Sequence, residues 1–267
     1  MSLKKYLKFY TSGVETSFEY RGALLTWLVV ELISVSSALF LWLAVFRSTA
    51  QVGLFGLGSM LLYFALIPFF GSFTNSFVSD FLPREIKDGV ISKDLIKPYS
   101  LKWVILARQL AIKSTQLILR MPAYIGVLIF LSVALKVEVP VSKILFAVLF
   151  APFCFFVHFF LDFFFALFAF FMDDAWSLSH LKFILILIFG GMTFPLSLVP
   201  YPLKYLFDFS PFKFLYYFPA NLAINGITNV SSFAKDIFLG LFWILLFWIF
   251  GNILWKKGVR KFEAYGN

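Results

Sequence analysis

Residues 48–79 pass without a single charged side chain. A run that long and that apolar exceeds the roughly 20 residues an α-helix needs to cross the roughly 30 Å hydrocarbon core of a bilayer. Five more stretches of comparable character follow the same logic: 23–46, broken only by Glu31; 117–135, with Arg120 near its start; 144–172, containing His158 and Asp162; 183–199; and 237–255. Apolar residues make up 61% of the 267 positions and charged ones 14%, with 39 phenylalanines. A soluble domain carries about 45–50% apolar residues even with glycine counted, and about 25% charged. The expected fold is therefore an all-α integral membrane protein with six transmembrane helices, forming one transmembrane domain over 1–267.

Basic residues set the orientation. An even number of spans puts both termini on one side, and Lys4, Lys5, Lys8, Arg21, the loop after span two, Lys182, and Lys256, Lys257, Arg260 and Lys261 all fall there. Arg47, Lys136, Lys143, Lys204, Lys213 and Lys235 fall opposite. The positive-inside rule makes the richer side cytoplasmic. The net charge of +9 is then a feature of topology and gives no reason to expect a nucleic-acid partner.

The first apolar run is longer than a signal-peptide core and starts only after residue 22. Before it, 1–22 reads as an amphipathic interfacial helix. Leu3, Tyr6, Leu7, Tyr10, Val14 and Phe18 share one face, and Lys4, Lys5, Lys8, Ser12, Glu15 and Glu19 the other. Such a helix lies flat on the inner leaflet or packs on a partner subunit. Toward the other end, 200–236 is aromatic-rich but holds Lys204, Asp208, Lys213 and prolines 200, 202, 211 and 219. It is expected to form broken, re-entrant helices on the extracellular side.

Chemistry is sparse. The chain has no nucleotide-binding phosphate loop and no metalloprotease pattern, and its single cysteine, Cys154, excludes an internal disulfide. His158 and Asp162, one turn apart, form the only acid–base-like pair. Catalytic zinc takes about three protein ligands, which this pair does not supply, so the two side chains are expected to satisfy each other or Asp162 to reach the inner interface. Neither a catalytic residue nor a metal site is assigned. Glu31 inside span one must be protonated, paired or facing a polar cavity, and Arg120 is expected to snorkel. The loop 80–102 carries Pro83, suited to a first helical turn, Gly89 as a helix stop, and Ser92 as a cap for a second short helix ended by Pro98. Short charged helices between spans give a soluble partner a surface to push on.

Four segments stand in a fixed order: Tyr20-Arg-Gly-Ala-Leu-Leu-Thr-Trp27 at the entry to span one; Glu85-Ile-Lys-Asp-Gly89 with Leu95-Ile-Lys-Pro98 after span two; Gly191-Met-Thr-Phe-Pro-Leu-Ser-Leu-Val-Pro200 with Ser210-Pro-Phe212 and Tyr217-Phe-Pro219 before span six; and the tail Lys261-Phe-Glu-Ala-Tyr-Gly266. Together they resemble the small permease subunits of type-2 ABC exporters. The resemblance implies a bacterial cytoplasmic-membrane permease. It would work with a second permease, identical or a sister protein, and with two ABC ATP-binding subunits that hold ATP and Mg. No cofactor is then expected in this chain. The same resemblance assigns a coupling helix to Pro83, Arg84, Glu85, Ile86, Lys87, Asp88, Gly89, Leu95, Lys97 and Pro98. It assigns an extracellular gate to Phe194, Pro195, Pro200, Pro211 and Pro219. The competing readings are an intramembrane hydrolase built on His158 and Asp162, and a scaffold recruiting a cytoplasmic protein through 80–102.

Overall fold

A computed structural model describes residues 3–172 and 176–262. Backbone groups in lipid have no water to bond, so long apolar segments close their own hydrogen bonds as helices, and eleven α-helices follow among the described residues. They are α1 Leu3–Glu19, α2 Arg21–Val45, α3 Leu57–Thr74, α4 Val78–Lys87, α5 Ser92–Leu95, α6 Leu101–Ala134, α7 Val141–Ala166, α8 Trp176–Phe189, α9 Lys204–Phe209, α10 Tyr217–Asn225 and α11 Val230–Lys261. Among the described residues five segments are long and apolar enough to cross a membrane: α2, α3, α6, α7 with its 3-10 extension to Phe170, and α11.

The expected fifth span does not reach that length. α8 has 14 residues, about 21 Å at 1.5 Å per residue, and it stops where 183–199 was expected to continue. Gly191 takes φ +81°, which a residue with a Cβ resists. There the Gly190 carbonyl accepts from Tyr217 N at 3.0 Å, and the Gly191 carbonyl accepts from Tyr63 Oη at 2.6 Å. The chain then runs through α9, a 3-10 turn at Pro211–Phe214 and α10. Leu198 meets Gly53 in the loop before α3, Leu215 O accepts from Thr74 Oγ1 at the last residue of α3 (2.6 Å), and Ile224 O accepts from Lys143 at the start of α7 (3.1 Å). The segment therefore enters from one end of the bundle, descends the length of α3 and returns.

α3 is the central helix: 72% of its apolar window is buried, against 17% for α2, α6 and α11. α7 packs on α3, α10 and α11. On α11, Gly240 leaves room for the Phe153 ring and Gly258 for Phe170.

α6 begins well before the expected 117–135. Its 34 residues correspond to about 51 Å, and its polar Gln109, Lys113, Gln116 and Arg120 recur every three or four positions and are all buried. A hydropathy window registers their polarity but not that they share one inward face.

The amphipathic α1 packs along α6. Tyr10 bonds Ser114 at 2.8 Å, Tyr6 Oη accepts from Ser100 N at 3.3 Å, and Gly13 sits against Ala111. Phe9 stacks edge-on against Tyr99, whereas Leu7 is exposed. The packed stripe is thus rotated from the expected one, and it is covered by this chain's own α6.

Candidate functional site

α2 rests on α3 and α6, and α8 rests on α4, α7 and the 211–214 turn. Between them a cavity of about 650 Å³ opens, floored by α3. Residues Trp27, Glu31, Ser34, Ala38 and Leu41 of α2 line it at helical spacing, with Phe64, Ile67 and Pro68 below and Phe183 and Ile186 of α8 opposite. Toward α4 the lining turns polar, with Asn75, Ser76, Asp80, His158, Ser179 and Lys182.

At that end the expected His158–Asp162 pairing is replaced by a different one. Asp162 is fully buried, and its partner is Lys182 of α8, with Nζ 2.5 Å from Oδ1. Its other oxygen accepts from Ser76 Oγ at 2.9 Å and from Ser79 N at 3.2 Å. Lys182 also donates to Ser79 Oγ at 2.5 Å, and Ser179 Oγ donates to Ser79 O at 2.9 Å. The physical reason is reach: an ammonium on α8 compensates a buried carboxylate better than a neutral ring on its own helix. His158 instead turns Nδ1 to Ser76 N at 3.0 Å and Thr74 O at 3.2 Å, and its Nε2 has no partner among the described residues. Ser79 lies in the first turn of α4, so one buried ion pair fastens α4 to both α7 and α8.

Glu31 is paired. Arg120 Nη1 lies 2.9 Å from its Oε1, and Tyr124 Oη donates to its Oε2. Arg120, expected to snorkel, is buried, because its guanidinium finds this carboxylate on α2 closer than any interface. Lys113, two turns earlier on the same face of α6, is also buried. Its Nζ has no hydrogen-bond partner among the described residues and sits over the rings of Phe77 and Phe155 at 5.8 and 5.9 Å.

The 80–102 stretch forms α4 and α5. Pro83 lies inside α4, not in its first turn, because the helix starts at Val78. Gly89 ends α4 at φ +69°. Ser92 does not cap α5; its hydroxyl donates back to Gly89 O at 2.6 Å. Leu82, Pro83, Ile86 and Ile91 face the bundle, while Arg84, Lys87, Asp88, Val90, Lys93, Ile96, Lys97 and Pro98 are exposed, Ile96 at 86%. Arg108 of α6 holds the loop in place through Glu85 (3.2 Å) and Asp94 (3.7 Å). Leu95 is half-buried against the apolar cluster that holds Leu82, Ile86 and Ile91.

Burial pushes the Glu85 carboxyl above its ordinary value, with Arg108 opposing. Partial burial also pushes Asp94 up, but hydrogen bonds from Tyr99 and Lys97 outweigh it and hold it below. At the mouth of the cleft, loss of water raises Asp80, with Lys182 opposing.

The five residues expected at a gate fall in two places. Pro195 opens the 3-10 turn at 196–198, Phe194 lies 6.3 Å from Phe207 ring to ring, and Pro200 is exposed at the following bend. Pro211 and Pro219 are buried in the descending and returning arms of the re-entrant segment. The tail positions 263–266 lie outside the described residues.

Sequence reasoning missed Lys182, treated only as a topological charge, and the buried state of Lys113 and Arg120. Their spacing with Gln109 and Gln116 on one helical face was the available signal. Among the described residues no group of three or more His, Cys, Asp or Glu could hold a metal ion.

A family model described as "ABC-2 family transporter protein" matches residues 32–266. Neither curated proteins nor solved structures gave a match.

Proposed function

The chain belongs to the ABC-2 transporter family, and from that premise we propose that it is the permease subunit of an ATP-driven exporter in a bacterial cytoplasmic membrane. It works with a second permease copy, identical or a sister, and with two ABC ATP-binding subunits. Those subunits hold ATP and Mg and carry out the hydrolysis. α8 starts beside Ser79 at the α4 end of α3 and the chain reaches Gly53 before α3 at Leu198, so α8 with 190–198 makes a sixth passage, and both termini and the α4–α5 loop face the cytoplasm. The loop residues from Pro83 to Pro98 dock on the ATP-binding subunit, led by the exposed Val90 and Ile96 between charged neighbours.

The observation that carries this reading is the double attachment of α4. Its Ser79 is bonded to Asp162 of α7 and to Lys182 of α8. Movement of α4 by a partner therefore pulls on α8, and α8 leads directly into the 190–225 segment through the Gly190–Tyr217 and Tyr63–Gly191 bonds. A partner with different contacts to two arrangements of this linkage shifts their populations. The cleft between α2 and α8 is the route for cargo; Phe194, Pro195 and Pro200 border its extracellular closure, and Pro211 and Pro219 shape the re-entrant arms that reach down from it.

The test is affinity purification in mild detergent of wild type and a Val90→Asp/Ile96→Asp variant, whose changes touch exposed positions only. An ATP-binding subunit should co-purify with the first and be lost from the second. Absence of any ATPase with wild type, or its retention by the variant, overturns the docking assignment.

A further inference from the structure

We propose that the cleft between α2 and α8 binds a cationic amphiphile, with Asp80 and Glu31 receiving its charged end and the apolar wall its body. This rests on the permease reading and names the class of its cargo.

The charged side chains around the cleft are not evenly presented. Lys182 and Arg120 have side chains only 7% exposed, and both are turned inward onto Asp162 and Glu31. Lys113 is buried behind Phe77. The carboxylates face the opening: Glu31 remains 32% exposed beside Arg120, and Asp80, exposed at the mouth though partly shielded from water and within the field of Lys182, makes no salt bridge to any described residue. The cations thus sit behind the surface and the acidic oxygens on it, so a ligand in the cleft meets negative potential first. In a water-poor cleft that preference is amplified.

Beside these carboxylates the polar end has unused capacity. His158 is 3% exposed and lines the cavity, yet among the described residues its Nε2 has no partner, nor has the Oδ1 of Asn75 on the same wall. Buried polar atoms are normally satisfied, so these await water or a ligand. Trp27 lies one turn before Glu31 on the same face of α2 and is 62% exposed, an aromatic face next to a carboxylate, which suits a cation twice over. The remaining wall is apolar, and about 650 Å³ falls in the range of about 300–1,000 Å³ typical of small-molecule sites.

The test uses two ions of the same shape and opposite charge, tetraphenylphosphonium and tetraphenylborate. Binding to the full-length protein in phosphatidylcholine nanodiscs is measured by equilibrium dialysis against empty discs. Wild type should bind the cation saturably and the anion no more than empty discs do. Asp80→Asn, a change at an exposed side chain, should weaken cation binding about tenfold, the loss of one coulombic contact between carboxylate and cation. Trp27→Leu should weaken it less. Equal binding of both ions, binding of neither, or unchanged affinity in Asp80→Asn overturns the proposal. ATPase co-purification is scored on the same preparations. Its presence with no cation preference leaves the permease reading intact and removes only the cargo class, whereas its absence counts against the permease reading.

Discussion

Replacing Asp162 with Asn should be the most damaging isosteric change in the chain. Asp162 is fully buried and Lys182 nearly so, with 2.5 Å between charged atoms. The amide keeps an acceptor for Ser76 and Ser79 but strands the ammonium. Removing one partner of a buried pair costs about 3–5 kcal/mol, most of it the penalty of the charge left behind. Adding Lys182→Met removes that charge, so Asp162→Asn/Lys182→Met should recover most of the loss. Cys154 supplies the assay. It is the chain's single cysteine and it is buried, so a fluorogenic maleimide reacts only as the bundle opens. Asp162→Asn should lower the midpoint of the thermal reaction curve by on the order of 10 °C. The double variant should lie closer to wild type than either single variant. A neutral Asp162→Asn, or single-variant losses that simply add in the double, would refute the reasoning.

The Glu31–Arg120 pair should respond asymmetrically in the same assay. Glu31→Gln leaves a buried guanidinium and should cost about 3 kcal/mol, whereas Arg120→Met leaves a carboxylate that reaches the cleft and should cost about 1 kcal/mol. Asp94 has a folded pKa below its ordinary 3.8, so its contribution to holding α5 is complete above that value and is lost as pH falls through the folded pKa. Hydrogen exchange across 92–99, corrected for intrinsic rates, should rise at low pH, and Asp94→Asn should show the raised exchange already at pH 7. Gly240→Leu drives a side chain into the space of the Phe153 ring and should cost about 1–3 kcal/mol, read as a lower melting midpoint.

Length and apolarity made the long helices legible, since lipid leaves a chain no alternative to self-bonded backbone. The breaks at Gly89 and near Pro211 were legible for the converse reason, that a positive φ or a missing N–H is written in residue type. Three features were not. α8 ends at Phe189 because the next residues, Gly191 and Gly190, bond to Tyr63 and Tyr217, partners 128 and 27 positions away, and no local window contains them. Lys182 looked like a surface cation because the carboxylate that buries it lies on another helix. The start of α6 was hidden because Gln109, Lys113 and Arg120 lower its hydropathy while facing inward. At the site, Glu31 and Asp162 were identifiable as costly residues, but their partners were not.

The central claim is that α4, tied to α7 and α8 through Asp162 and Lys182, transmits the partner's motion to the cleft. A Cys154→Ala/Phe183→Cys protein carries an environment-sensitive dye on the cleft wall, where Phe183 is exposed. Its fluorescence is recorded in the assembled complex before and after trapping with ATP and vanadate. The account predicts a clear change in this protein and its loss when Asp162→Asn/Lys182→Met is added, with the ATP-binding subunit still bound. An undiminished change in that variant would contradict it.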